Sequence, residues 1–252
     1  MRTFGLIGFP LGHSFSQKYF SEKFKRENIT DAEFKNFPLE NINDFPKLIE
    51  NNPSLRGLSV TIPHKQSIIK FLNEVDDVVK EVGAVNCVKI HRTSDIGHRT
   101  STGFNTDVFG FEKSLLPLLK SHHTKALILG TGGASKAVRY VLKKLGIEFS
   151  FVSRSEKPAS NSYSYNDLSS EIISSHALII NTTPLGMFPD VNSCPPIPYQ
   201  HLTEKHLLYD LIYNPEETLF LKKGKERGAQ IKNGLEMLQL QADKAWEIWN
   251  SH

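Results

Sequence analysis

Four short stretches in the first half of the chain carry side chains that could handle a small polyhydroxylated acid. They are residues 8–16 (Gly-Phe-Pro-Leu-Gly-His-Ser-Phe-Ser), 59–65 (Ser-Val-Thr-Ile-Pro-His-Lys), 83–86 (Gly-Ala-Val-Asn) and 103–107 (Gly-Phe-Asn-Thr-Asp). Hydroxyls and an amide can bond a ligand's hydroxyl groups, while one lysine and one aspartate add charge and a movable proton. Alone, Lys65 reads as an exposed helix lysine and Asp107 as the cap of a helix over 108–119. A fifth stretch, residues 130–137 (Gly-Thr-Gly-Gly-Ala-Ser-Lys-Ala), has glycines where a chain must turn tightly and let a pyrophosphate approach its backbone. The helix that follows would offer its N–H groups and positive dipole end to the phosphates.

The elements that must position these residues alternate. Residues 4–8, 33–38, 57–61 and 84–91 are β-rich runs bounded by Gly, Pro or Asn and are expected as strands. Between them 16–27, 42–51, 64–72 and 75–82 carry apolar residues at helical spacing. Ser16 can cap the first and Pro63 can open the third. A second series starts after Leu119, with strands at 125–130, 148–153, 177–181 and 206–211 and a helix at 135–145. Continuous apolar runs such as Ala177-Leu178-Ile179-Ile180 fit parallel strands covered on both faces. Residues 190–198 hold three prolines and read as a loop, and 236–250 form an amphipathic closing helix. The fold expected is α/β with two domains. The boundary falls near residues 105–122, with a Rossmann-type dinucleotide-binding domain after it. In open α/β sheets ligands collect at the carboxyl ends of strands, and three of the four polar stretches lie at or near such ends.

The end of the strand after the Gly-rich turn discriminates between nicotinamide cofactors. An NAD site places an acid about 20 residues on, where it accepts a bond from the ribose 2′-hydroxyl. Here the residues are Ser153-Arg154-Ser155. A guanidinium flanked by hydroxyls suits a 2′-phosphate, so NADP is the expected cofactor.

In their order and spacing these segments resemble the shikimate dehydrogenase family over nearly the whole chain. The motifs are Ser-x-Ser (Ser14, Ser16), Val-Thr-x-Pro-x-Lys (Val60 to Lys65), Gly-Ala-Val-Asn (Gly83 to Asn86) and Asn-Thr-Asp (Asn105 to Asp107). Gly-x-Gly-Gly-Ala (Gly130 to Ala134), Asn-Thr-Thr-Pro-x-Gly-Met (Asn181 to Met187), Asp-Leu-Ile-Tyr-Asn-Pro (Asp210 to Pro215) and Asn-Gly-Leu-Glu-Met-Leu (Asn233 to Leu238, then Gln241) complete the set. The resemblance implies an N-terminal α/β substrate domain over 1–107, closed by the helix at 235–252, and a Rossmann-type dinucleotide-binding domain over 108–234. It implies reduction of 3-dehydroshikimate to shikimate with NADPH. It implies that Ser14 and Ser16 bind the substrate carboxylate and that Thr61, Asn86, Asp107, Tyr213 and Gln241 contact its hydroxyls. Lys65 and Asp107 would be the catalytic pair, an ammonium being able to stabilise a developing alkoxide and donate a proton. On the cofactor side it implies Gly130, Thr131, Gly132, Gly133, Ala134 and Ser135 at the phosphates, and Ser153, Arg154 and Ser155 at the adenosine end. Thr182, Ile212, Gly234 and Met237 would lie near the nicotinamide, and Asp77 falls where the family sometimes has an acid near the cofactor.

Several positions depart from the family pattern. Gln17 replaces a proline, Tyr19-Phe20 a His-Asn pair, Cys87 a threonine, and Ser153-Arg154-Ser155 an Asn-Arg-Thr. Quinate-using relatives share most of the motifs, so a quinate/shikimate dehydrogenase of broader specificity remains an alternative. A non-catalytic NADP-binding regulator on the same scaffold is another, against which the Lys65/Asp107 pair argues.

Composition bounds the rest. The 252 residues carry a net charge of +3, too small and diffuse to argue for nucleic acid. No apolar run reaches the ~18–20 residues of a membrane span, and the start lacks a signal-peptide pattern. Two cysteines, Cys87 and Cys194, give neither a disulfide framework nor a metal set. The expectation is a cytoplasmic monomer or homodimer acting on a small molecule, with no metal.

Overall fold

In the computed structural model residues 1–12, 15–92, 99–154 and 161–251 are described. Ser14 and Ser155 therefore lie outside the described residues. The elements run β1 (Arg2–Gly8), α1 (Phe15–Arg26), β2 (Ala32–Pro38), α2 (Phe45–Asn51), β3 (Leu55–Val60), β4 (Glu74–Val75), α3 (Asp77–Val82), β5 (Cys87–Arg92), β6 (Arg99–Phe104) and α4 (Thr106–Leu115). The second series is β7 (Lys125–Leu129), α5 (Gly133–Lys144), β8 (Glu148–Ser153), β9 (Ser162–Ser164), α6 (Ser170–Ser175), β10 (Leu178–Asn181), β11 (Leu207–Asp210), α7 (Leu219–Lys225), β12 (Gln230–Lys232) and α8 (Leu235–Asn250). The chain divides into two compact units, Met1–Thr106 with Gln241–His252, and Asp107–Leu240. It passes from one to the other at the start of α4 and within α8.

The first unit is built on a mixed sheet ordered β2-β1-β3-β5-β6-β4. β1 runs parallel to β2 and β3, while β5 is antiparallel to β3 and β6. On one face Phe4, Phe20, Phe24, Phe34 and Trp249 form an apolar cluster with Ala242 and Ala245 of α8. Cys87, fully buried in the same cluster, serves as a small apolar residue there.

The second unit is a parallel sheet ordered β12-β11-β10-β7-β8-β9. Strand order reverses between β7 and β10, which leaves a crevice beyond their carboxyl ends. The four residues of β10 and the four of β11 are all buried, as the continuous apolar runs predict.

The helix expected over 64–72 is not formed. A turn at His64 leads only to a short 3-10 segment, Ser67–Phe71. The carbonyl of Lys65 accepts from Val85 N at 2.7 Å, which takes an acceptor an α-helix needs. The helix expected from residue 75 begins two residues later, because Asp76 caps it by accepting from Val79 N at 2.8 Å and Glu74–Val75 pairs with β6.

Neutral histidines brace the second unit. Nδ1 of His123 accepts from Lys120 N at 3.0 Å, so its Nε2–H donates to the Lys205 carbonyl. Nδ1–H of His176 donates to the Ile172 carbonyl at 2.7 Å. Burial depresses the pKa of both. A folded pKa below the unfolded value of about 6.5 gives stability that is complete above that value and lost as pH falls through the folded one. The difference in melting temperature between the wild type and His123→Gln should therefore narrow as pH falls from about 7 to about 5. A constant difference would contradict this.

Candidate functional site

In the first unit the polar stretches converge on β-strand ends. Asn86 spans two of them with its backbone, donating to Phe104 O at 3.1 Å and accepting from Val60 N at 2.8 Å. Its side chain is buried with those of Thr106 and Gln241. Oδ1 of Asn86 accepts from Thr106 N at 2.6 Å, and Nδ2 donates to Thr106 Oγ1 at 3.0 Å and Gln241 Oε1 at 3.3 Å. Thr106 Oγ1 also lies 3.3 Å from Gln241 Oε1. Asn105 Nδ2 donates to the Ala84 carbonyl at 2.8 Å, tying the Asn-Thr-Asp stretch to the Gly-Ala-Val-Asn stretch. So Asn86 and Gln241, 155 positions apart, share one polar cluster. Thr106, inside a motif but given no role by the sequence reading, is its third member.

Thr61 follows β3, half-buried, its N–H donating to Ile7 O at 2.9 Å. Lys65 is half-buried, and its backbone is held by the Val85 bond described above. Ser16 is half-buried in the first turn of α1. Next to it Gln17 accepts from Asn36 Nδ2 of β2 at 2.9 Å, a bond the usual proline could not make. Tyr19 and Lys23 of α1 both bond Asp243 of α8, the lysine at 3.0 Å. Asp77 is exposed, its carboxylate 2.7 Å from Lys80 Nζ and its pKa held down by that bond.

In the second unit Asp107 is half-buried in the first turn of α4, and Tyr213 lies partly exposed beyond β11, burial of its ring edge raising its pKa. The Gly-rich turn joins β7 to α5. Gly130 has φ +99, a conformation other residues rarely adopt, and a Cβ there would meet the side chains of Thr183 and Thr182 at 2.9 and 3.0 Å. Gly132 is the N-cap of α5 and supplies no side-chain cap; the space beside it is open. Gly133 and Ala134 begin the helix, and Ser135 Oγ donates to Gly132 O at 2.6 Å, tightening the turn. The first N–H groups of a 12-residue helix are thus presented without a competing side chain, the arrangement an anion needs.

A cavity of about 460 Å³ opens over this turn. Its walls include Gly130, Thr131, Gly132, Ser153, Arg154 and Thr182. Thr183, Pro184, Leu185, Tyr165, Val152 and Pro196 complete it. Six residues predicted at the cofactor thus line a single cavity at the point where strand order reverses. Arg154 is exposed at its edge, and the guanidinium acts electrostatically on Tyr165, whose pKa burial raises. Tyr165, directly after β9, carried no sequence signal because it belongs to no motif. Thr183 sat unassigned within the Asn-Thr-Thr-Pro stretch.

Ile212, Gly234 and Met237 lie apart from that lining. Ile212 and Met237 are buried, and Gly234 N donates to Ile212 O at 3.0 Å. A Cβ on Gly234 would fall 2.1 Å from the Leu211 carbonyl oxygen, which is backbone and cannot yield cheaply. Gly234→Ala should therefore destabilise the protein by about 1–3 kcal/mol, read as a lowered melting temperature. A variant as stable as the wild type would show that this approach is not tight.

A buried carboxylate ends β11. Asp210 is fully buried, and burial pushes its pKa up to about 6, against the hydrogen bonds from Thr218, Ile212 N and Asn181 that lower it.

The architecture has counterparts among known proteins. Residues 6–88 match the family model described as the shikimate dehydrogenase substrate binding domain. The chain is 36% identical to a shikimate dehydrogenase (NADP(+)) of Methanococcus vannielii, over 97% of this chain and 90% of that one. It superposes on the crystal structure of shikimate dehydrogenase from Aquifex aeolicus with a TM-score of 0.84 at 34% identity, covering 99% and 92% of the two chains. With the Thermus thermophilus shikimate 5-dehydrogenase in complex with NADP(H) and shikimate the TM-score is 0.84 at 26% identity, covering 99% and 94%. Among the described residues no helix is long and apolar enough to cross a membrane.

Proposed function

The chain belongs to the shikimate dehydrogenase family, and from that premise we propose that it interconverts 3-dehydroshikimate and shikimate with NADP, its biosynthetic direction being reduction by NADPH. The observation that carries the proposal is the cavity over the Gly-rich turn, where the open N-terminus of α5 faces one side and Arg154 stands at the edge. Its lining fits a dinucleotide: N–H groups for a pyrophosphate and a guanidinium for a 2′-phosphate. When bound, the nicotinamide supplies or accepts the hydride.

Everything else falls to the chain's own residues. Ser14 and Ser16 would hold the substrate carboxylate. Thr61, Asn86, Tyr213 and Gln241 would bond its hydroxyls, and the buried Asn86–Thr106–Gln241 cluster would fix two of these donors before substrate arrives. Lys65 would steady the developing alkoxide and donate its proton, while Asp107 would orient the ammonium. At the cofactor, Gly130 to Ser135 would cradle the phosphates, and Ser153, Arg154 and Ser155 the adenosine end. Thr182, Ile212, Gly234 and Met237 would flank the nicotinamide. Asp77 would stand near the cofactor, its carboxylate lying 2.7 Å from Lys80 Nζ. The proposal places the enzyme in the cytoplasm, as a monomer or homodimer.

Addition of 3-dehydroshikimate to protein and NADPH tests the reading. Consumption of NADPH with shikimate identified by NMR as the product is expected. No consumption, or a different product, overturns it.

A further inference from the structure

Cofactor-contacting side chains are only as well placed as the groups that hold them. Thr183 walls the nucleotide cavity and packs against the Gly130 turn, where a Cβ would come within 2.9 Å of its methyl group. What fixes Thr183 is Asn181, the last residue of β10. Oδ1 of Asn181 accepts both from Thr183 N at 3.0 Å and from Thr183 Oγ1 at 2.7 Å.

An amide can turn over and exchange its oxygen for its nitrogen, so something must set its orientation. Asn181 is fully buried, and its Nδ2 donates to Asp210 Oδ1 at 3.0 Å. A carboxylate oxygen accepts and does not donate, so this contact keeps the amide nitrogen toward Asp210 and the oxygen toward Thr183. Asp210 holds two further groups. Its Oδ1 accepts from Ile212 N at 3.0 Å, holding the backbone of Ile212 just beyond β11. Its Oδ2 accepts from Thr218 Oγ1 at 2.6 Å, the N-cap of α7. One buried carboxylate thereby ties together the carboxyl ends of β10 and β11 and the entry to α7.

We infer that Asp210 is a positioning residue for the cofactor, acting through Asn181 to hold Thr183 against the Gly130 turn and directly on the backbone of Ile212. This deepens the proposed function and rests on it. Asp210 takes no proton from substrate and touches no cofactor; its effect passes through the side chains it orients.

The test compares NADP⁺ affinity, by calorimetric titration, with KM for shikimate at saturating NADP⁺. Losing an orienting hydrogen bond to a charged group corresponds to about a 10-fold or larger change. Asp210→Ala and Asn181→Ala should each weaken NADP⁺ binding about tenfold or more, with KM for shikimate within about twofold. Asp210→Asn can keep the Oδ1 acceptor for Asn181 and Ile212, while its amide nitrogen faces a Thr218 hydroxyl able to turn and accept. It should bind NADP⁺ within about threefold of wild type, a rescue that a general need for buried charge would not give. Thr183→Val removes the outermost hydroxyl of the relay, with the longer 3.3 Å bond it accepts from Leu185 N, and keeps the shape, so it tests the idea even where an alanine variant fails to fold. It should reproduce most of the loss, and combining it with Asn181→Ala should add little. Parallel loss of shikimate and NADP⁺ binding, Asp210→Asn as weak as Asp210→Ala, or multiplicative losses in the double variant would overturn the inference. A wild-type protein that binds no NADP⁺ would instead overturn the proposed function.

Discussion

Lys65→Ala should lower kcat by about 10²–10⁴-fold and leave KM for shikimate within a few-fold, the range of general acid–base assistance. The segment carrying Lys65 is pinned by the bond from Val85 N to the Lys65 carbonyl, so truncating the side chain leaves its backbone in place. What is lost is an ammonium needed when charge develops on the substrate oxygen, a loss that appears in kcat. Asp107→Ala should be mixed, raising KM as well as lowering kcat, because its carboxylate would bond a substrate hydroxyl in addition to orienting the lysine. The double variant should be far less impaired than the product of the two single losses, because the proposed pair would act as a unit. A large rise in KM with kcat preserved would show instead that Lys65 only grips the substrate.

The second large effect concerns the cofactor. Arg154→Ala should weaken NADPH by about 10–150-fold and leave NADH almost unchanged. The estimate follows from about 1.5–3 kcal/mol for a hydrogen bond to a charged group. Arg154 is exposed at the cavity edge. Its truncation leaves no buried hole, and a general loss of stability is not expected. Equal losses with both cofactors would mean that the guanidinium supports the site without reading the 2′-phosphate.

The parts of this molecule that were legible in the sequence are those whose signal is local. Continuous apolar runs marked β7, β10 and β11, and a Gly-rich turn between strand and helix marked the start of α5, because burial and tight turning act on neighbouring residues. β6 left no such mark. Its Thr100-Ser101-Thr102 core is polar, and its strand character comes from pairing with β5 across residues the pattern could not connect. The expected helix over 64–72 failed for a related reason: the Val85 bond that takes the Lys65 carbonyl comes from 20 residues away, a distance helical periodicity does not sense. Among the candidate site residues, motif order named Asn86 and Gln241, yet only the fold shows that Thr106 joins them. Tyr165 belongs to no motif, so its place in the cavity wall had no counterpart in the pattern. Asp210 and Asn181 stood inside recognised stretches, but their role depends on which atom of each faces which neighbour, and that is a property of packing alone.

Whether this chain oxidises and re-forms shikimate with NADP is tested most directly by following NADP⁺ reduction with shikimate and quinate side by side. Rapid NADPH formation is expected with shikimate, little with quinate, and a much slower reaction when NAD⁺ replaces NADP⁺. Equal or faster turnover of quinate, a preference for NAD⁺, or no reduction with either acid would contradict the proposed function.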